Sequence, residues 1–196
     1  PGRGRGRRAD GQPGRLGALG RAGPLDQAAG FVEHDTRWLE TVEGLSAEQR
    51  GSLLVDLGFL PEPVPLAVAL GMRLNELAHH SWDVRVGLDP SAEVHADSAE
   101  VLVELFRGPL NFILGFSAKP GELGEPASVA VPGAGLVIDS GVTVVGGVES
   151  PTATFRGAPE AFMRLLNGRL KEPYAEGVTV EGNVTLDDLR KVFPGY

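Results

Sequence analysis

The stretch from Arg73 to Val84 carries the residue types that could do chemistry. It reads RLNELAHHSWDV and is rich in residues that favour a helix. Glu76 and His80 are four residues apart, so on a helix their side chains lie one turn apart, about 5–6 Å at Cβ. A carboxylate and an imidazole so placed supply two of the three protein ligands that a catalytic zinc ion takes. The same spacing also occurs in ordinary surface pairs, so both interpretations stay open.

The helix that must position this pair begins in an apolar run. At about 100° per residue, the apolar residues fall on one arc, and Glu76 and His80 fall on an adjoining arc. The apolar arc consists of Leu70, Leu74, Leu77, Val84 and Leu88. We therefore expect Glu76 and His80 to lean toward the interior of a helical bundle. Asp83 follows one turn later, where it either orients His80 as a hydrogen-bond acceptor or is a surface acid.

The remaining histidines and the nearby tryptophan are weaker candidates. His79 lies about 100° around the helix from His80, so it is predicted to pack or to face solvent. Trp82 points to another face and is predicted to pack in the core. His34 is the only histidine upstream of the pair, and His95 has no partner that the sequence identifies.

Composition excludes several classes of chemistry. The 196 residues contain no cysteine, which excludes disulfides, zinc–thiolate sites and a cysteine nucleophile. No signal peptide or apolar run near 18 residues is visible, so we expect a cytoplasmic protein without a membrane span. Residues 1–24 hold six arginines and one aspartate, a charge of +5. Because the net charge of the chain is −8, the remaining residues carry a charge of −13. An acidic globular part is not expected to bind nucleic acid.

The distribution of residue types along the chain predicts a helical part followed by a part that combines helices and strands. Residues 1–24 form an Arg/Gly-rich tail that we expect to be disordered, or a non-native start. Residues 25–116 are predicted to form helices, and residues 117–126 are predicted to be a Pro/Gly-rich linker. Residues 127–196 are predicted to form a small α+β domain.

Local signals support this division. Short β-branched segments separated by glycines predict strands at Ser128–Val131, Gly135–Ser140, Val142–Val145, Thr152–Arg156 and Val178–Val180. Capping-box patterns at Ser46–Gln49 and Thr185–Asp188 predict two helix starts.

Two runs of the sequence carry a family resemblance. One is Met72–Val84; the other is C-terminal and comprises Ala153–Gly157, Leu165–Leu170 and Val180–Val184. Together they resemble the mycothiol-dependent maleylpyruvate isomerase family of actinobacteria, from about Leu25 onward. This resemblance implies a DinB-like metal-binding helical bundle, its first helices missing from this chain, followed by a sterol-carrier-like α+β domain.

The resemblance also implies site residues and cofactors. Glu76 and His80 match two metal ligands of the family, and the third would be a histidine of an earlier helix that this chain does not show. His34 would be a substitute for that ligand. Arg169 is a candidate catalytic residue that would bind carboxylates of the substrate or thiol, or it caps the preceding helix end. The implied cofactors are a divalent metal, usually zinc, and mycothiol.

The implied reaction begins with a metal-bound thiol, which is deprotonated and becomes the nucleophile. It would add to a small unsaturated or electrophilic substrate, as an isomerase or a thiol S-transferase does. The alternative function is a non-catalytic binding module, whose sterol-carrier-like domain would hold an apolar ligand or a protein partner. With two of three ligands present, we expect this chain to bind metal poorly.

Overall fold

The computed structural model describes residues 23–195. The chain divides into two compact units, with the boundary between Ser52 and Leu53. The predicted Arg/Gly-rich tail lies outside the described residues except for Gly23 and Pro24.

The described part of the first unit, residues 23–52, is helical. Helix α1 spans Pro24–Glu43 and ends at Gly44, and helix α2 spans Ala47–Ser52. The capping box predicted before α2 is confirmed, because the Ser46 amide donates to Gln49 Oε1 and the Gln49 amide donates to Ser46 Oγ.

The second unit combines helices with a five-stranded sheet. It starts with a short antiparallel pair of strands, β1 Leu54–Val55 and β2 Val64–Pro65. Its longer helices are α3 Leu66–Val86, α4 Ala96–Phe106, α6 Pro159–Leu166 and α7 Leu186–Val192, with a single turn, α5, at Leu114–Ser117. Its 3-10 turns span Asn111–Ile113 and Pro120–Glu122.

The sheet is mostly antiparallel. Its strands are β3 Ala127–Val131, β4 Ala134–Ile138, β5 Val142–Val145, β6 Ala153–Arg156 and β7 Thr179–Gly182. The order across the sheet is β5-β4-β3-β6-β7, and only the β3–β6 pair is parallel. The strands predicted from the β-branched segments are confirmed within a few residues at their ends. A mixed α/β fold of the α+β kind is therefore observed.

One continuous hydrophobic core joins the helices of the second unit to its sheet. Most of the largest fully buried side chains come from α4, β4, α6 and α7 with the residue that follows it; they include Leu102, Phe106, Leu136, Ile138, Phe162, Met163, Leu189 and Phe193. The predicted linker at 117–126 passes beside this core, where the Lys119 amide donates to the Val192 carbonyl at 2.8 Å. The domain boundary there stays a prediction. Within residues 23–195, no helix combines the length and apolarity needed to cross a membrane.

A buried ion pair on α6 contacts α3 through the Trp82 ring. Arg164 Nε and Nη2 each donate to one oxygen of Glu160 at 2.7 Å, and both side chains are 7% exposed. Arg164 Nη1 donates to the Tyr174 carbonyl at 2.6 Å. The guanidinium carbon lies 5.3 Å from the centre of the Trp82 ring on α3, within the range of a cation–π contact. The pair thus holds α3 against α6.

The segment that connects α3 to α4 is hydrogen-bonded to Glu160 of the same ion pair and to Trp82. Glu160 Oε2 accepts a hydrogen bond from the Val94 amide at 3.3 Å. The Trp82 indole donates to the Ala92 carbonyl at 2.8 Å. Trp82 is 4% exposed, so the prediction that it packs in the core is confirmed.

The predicted core face of α3 is only partly correct: Leu70, Leu74 and Leu77 are half-buried, and Leu74 packs against the core. The buried face contains Gly71, Asn75, Ala78, His79, Trp82 and Val86, whereas Val84 and Leu88 are 69% and 86% exposed. At 100° per residue, the centres of the two faces lie roughly 130° apart. The buried face was missed because small and polar residues form it: a Cβ added at Gly71 would lie 3.0 Å from Leu105 Cδ1 of α4, so the helices approach closely there.

We expect Glu160→Ala to lower the free energy of unfolding by about 3–5 kcal/mol, because it leaves the buried Arg164 charge without its partner. Urea unfolding followed by circular dichroism measures this change. The matched control is Glu104→Ala, which breaks the more exposed Glu104–Arg107 pair on α4 and should cost no more than about 1 kcal/mol. Equal, small losses in both variants would contradict the role assigned to the buried pair.

Candidate metal-binding site

Glu76, His80 and Asp83 form a row along the outer face of α3. Glu76 Oε2 lies 3.1 Å from His80 Nε2, and Asp83 Oδ2 lies 3.0 Å from His80 Nδ1. The side chains are 51%, 60% and 38% exposed in that order. The expectation that the pair leans toward the interior is therefore wrong, because α3 is rotated so that Asn75, His79 and Trp82 face the core instead. Each nitrogen of the His80 ring nevertheless faces one carboxylate.

Arg169 completes the row from the turn after α6. Its Nε donates to Asp83 Oδ1 and its Nη2 donates to Asp83 Oδ2, both at 2.8 Å. The Arg169 side chain is 13% exposed, so this two-pronged pair is better shielded than an ordinary surface pair. The hydrogen bond from Arg169 lowers the pKa of Asp83, and the hydrogen bond from His80 lowers it further, whereas desolvation opposes both.

Each nitrogen of the His80 ring faces an acceptor. An ionised carboxylate only accepts hydrogen bonds, so Asp83 favours a proton on Nδ1, and Glu76 favours either a proton or a cation on Nε2. Arg169 Nη2 lies 3.5 Å from the same nitrogen, which is too long for a strongly competing hydrogen bond. When Nε2 carries no proton, its lone pair faces Glu76 Oε2, and a cation can bind between them.

Glu76 and His80 can occupy two of the coordination positions of a single metal ion. Two ligands at about 2.0–2.1 Å from a tetrahedral zinc ion lie roughly 3.3 Å apart, close to the 3.1 Å between His80 Nε2 and Glu76 Oε2. Asp83 stands where a carboxylate orients a metal-binding histidine through its other nitrogen. Among residues 23–195, no group of three or more His, Asp or Glu side chains is placed to hold a metal. The third ligand is therefore not among the described groups of this site.

The other two histidines of the second unit, His79 and His95, are not part of this row. His34 is exposed on α1 of the first unit, and its role as a ligand stays a prediction. His95 is exposed at the residue before α4. His79 is 1% exposed on the buried face of α3, where its Nδ1 donates to the Asn75 carbonyl at 2.8 Å. Burial lowers the pKa of His79, so this ring is a neutral packing group.

Arg169 contacts the C-terminal end of α6 as well as the carboxylate of Asp83. Its Nη1 donates to the Asn167 carbonyl at 2.9 Å, which agrees with the predicted contact to the end of α6. Its pairing with Asp83, 86 residues earlier, was not foreseen. Its role toward substrate stays a prediction.

Two buried asparagines beneath the row are functional candidates that the sequence patterns did not single out. Asn75 of α3 is 1% exposed and Asn167, directly after α6, is 3% exposed. Asn75 Nδ2 donates to Asn167 Oδ1 at 3.2 Å. Two sequence features could have indicated them: Asn75 is a polar residue inside a run that otherwise favours a helix, and Asn167 forms an Asn-Gly pair at a helix end.

No protein-family model matches the chain, and a comparison with curated proteins gives no match either. The resemblance to the maleylpyruvate isomerase family therefore stays a prediction from the two sequence runs.

We expect Asp83→Asn to destabilise the fold in a pH-dependent manner. The pKa of Asp83 is lower in the folded state than its ordinary 3.8, so its contribution is full above that value and is lost as the pH falls through the lowered pKa. Because Asp83 is 38% exposed, the difference at neutral pH should be about 1 kcal/mol or less after solvent screening. Urea unfolding at a series of pH values between neutrality and about pH 2 measures the difference from wild type.

The control for this series is Glu100→Gln at an exposed position of α4. Its difference from wild type should stay small and flat over the same range. A difference for Asp83→Asn that grows as the pH falls would contradict the expected sign.

Proposed function

We propose that this chain is a thiol-dependent metalloenzyme whose residues Glu76 and His80 bind a divalent metal, zinc, on the outer face of α3. The observation that carries the proposal is the row of contacts from Glu76 through His80 and Asp83 to Arg169. A histidine that binds a metal through one nitrogen is commonly held by a carboxylate at the other, and that arrangement fixes the ring and its tautomer.

Each residue of the row has a distinct task in this proposal. Glu76 and His80 supply one oxygen and one nitrogen donor. Asp83 keeps the proton on His80 Nδ1, so that Nε2 presents its lone pair. Arg169 holds Asp83 in place with two hydrogen bonds and keeps its carboxyl ionised by lowering its pKa. Zinc, when bound, deprotonates a coordinated thiol and makes it a nucleophile.

The 196 residues contain no cysteine, so none of them supplies the thiol in this proposal. The resemblance supports mycothiol as that thiol and a small unsaturated or electrophilic molecule as substrate, in an isomerase or S-transferase reaction. The DinB-like bundle and the sterol-carrier-like domain belong to the same proposal. The mixed fold, in which α3 bears the row and the turn after α6 supplies Arg169, supports this part of the proposal.

The site has two described protein ligands, so we expect weak zinc binding that becomes tighter when a thiol occupies an open position. Competition with a chromophoric chelator measures the affinity, with and without mycothiol. Glu76→Ala and His80→Ala should abolish this binding, and Asp83→Ala should weaken it about 10–100-fold.

The matched control is His95→Ala, which removes an exposed histidine outside the row and should bind zinc as wild type does. No zinc binding by wild type, or equal binding by His80→Ala, would contradict the proposal and favour the non-catalytic binding module. A thermal shift with mycothiol that needs zinc and His80 would support the thiol-dependent enzyme.

A further inference from the structure

The short turn after α6 sets the geometry of the Arg169 guanidinium. Two of the hydrogen bonds from this group go to Asp83, and a third goes from Nη1 to the Asn167 carbonyl at 2.9 Å. A planar guanidinium with acceptors on both sides has little freedom to rotate. The position of the Asn167 carbonyl therefore decides where the plane lies relative to Asp83.

Asn167 is itself held by its side chain. Its Nδ2 donates to the Met163 carbonyl at 3.0 Å, which fixes the orientation of the amide. Its Oδ1 then faces α3 and accepts the hydrogen bond from Asn75 Nδ2 at 3.2 Å. Both asparagines are almost fully buried, so losing either partner would leave a buried polar atom without its hydrogen bond.

The next residue limits how far the turn can move. Gly168 has φ +70°, a left-handed conformation that favours glycine. A Cβ at Gly168 would lie 2.2 Å from the Gly195 nitrogen, because the backbone of Pro194 and Gly195 packs directly on it. The turn is therefore confined between Asn75 on one side and the C-terminal residues on the other.

We propose that Asn167 is a positioning residue of the metal-binding site. Through its hydrogen bond to Asn75, it sets the carbonyl that orients Arg169, and Arg169 in turn holds Asp83 against His80. The inference rests on the proposed function for its metal readout, but the arrangement of Arg169 can be tested without any metal.

The metal-free test observes the Arg169 side chain by NMR. In wild type, Arg169 Nε–Hε donates to Asp83 and should give a resolved signal protected from exchange, assigned by its loss in Arg169→Lys. In Asn167→Ala and in Asn75→Ala, this signal should broaden or exchange at least several-fold faster. The matched control is Val144→Ala in strand β5, a buried truncation outside the turn, which should leave the signal unchanged.

The second readout is zinc affinity in a double-mutant cycle with Asp83. Asn167→Ala should weaken zinc binding about 10-fold in the wild-type background, as removal of a residue that orients a ligand does. It should have no further effect in the Asp83→Ala background. Asn75→Ala should behave in the same way from the α3 side, which keeps the test valid if Asn167→Ala does not fold.

Two outcomes would overturn the inference: an unchanged Arg169 signal in both asparagine variants, or the same fold-loss of zinc affinity with and without Asp83. Failure of the wild type to bind zinc would overturn the proposed function instead. The NMR comparison would then still decide whether Asn167 positions Arg169.

Discussion

The buried guanidinium of Arg164 is the constraint on which the second unit depends. A charge inside a protein is tolerated only when it is paired and hydrogen-bonded, so the surroundings of Arg164 must supply these partners together. Glu160 supplies the countercharge, the Tyr174 carbonyl accepts a third hydrogen bond, and Trp82 covers the guanidinium with its ring. Helices α3 and α6 are therefore brought into one arrangement by a single group.

The rotation of α3 follows from that arrangement, and the location of the site follows from the rotation. With Trp82 turned toward Arg164, Asn75 and His79 lie on the same buried face, and Glu76, His80 and Asp83 lie outside it. The outer row is still close enough to the end of α6 for Arg169 to reach Asp83. The region of α6 and its following turn thus contacts α3 at three described points: the ring contact at Arg164, the hydrogen bond between Asn167 and Asn75, and the ion pair at Arg169.

The parts of the fold that could be predicted from sequence are those encoded locally. β-Branched runs between glycines predicted the strands, and the boxes at Ser46 and Thr185 predicted helix starts whose hydrogen bonds are present. The spacing of Glu76 and His80 placed them side by side, and the contact of His80 with Asp83 was anticipated as one of two alternatives. The buried face of α3 could not be predicted by counting apolar residues, because two of its partners lie far along the chain: Asn167 is 92 residues after Asn75, and the ring of Trp82 is contacted by Arg164.

The pairing of Asp83 with Arg169 has a consequence for how the protein reaches its working form. The contact between Asp83 and Arg169, 86 residues apart, closes a long loop. Such contacts form late in folding, because the chain loses the conformational entropy of the loop before the contact stabilises it. An isolated α3 peptide could bring Glu76 and His80 together, yet it would lack the group that holds Asp83. The complete row of contacts therefore exists only after the turn that follows α6 has docked against α3. Any partly folded form of the chain would carry the two donors without the orientation that makes them useful.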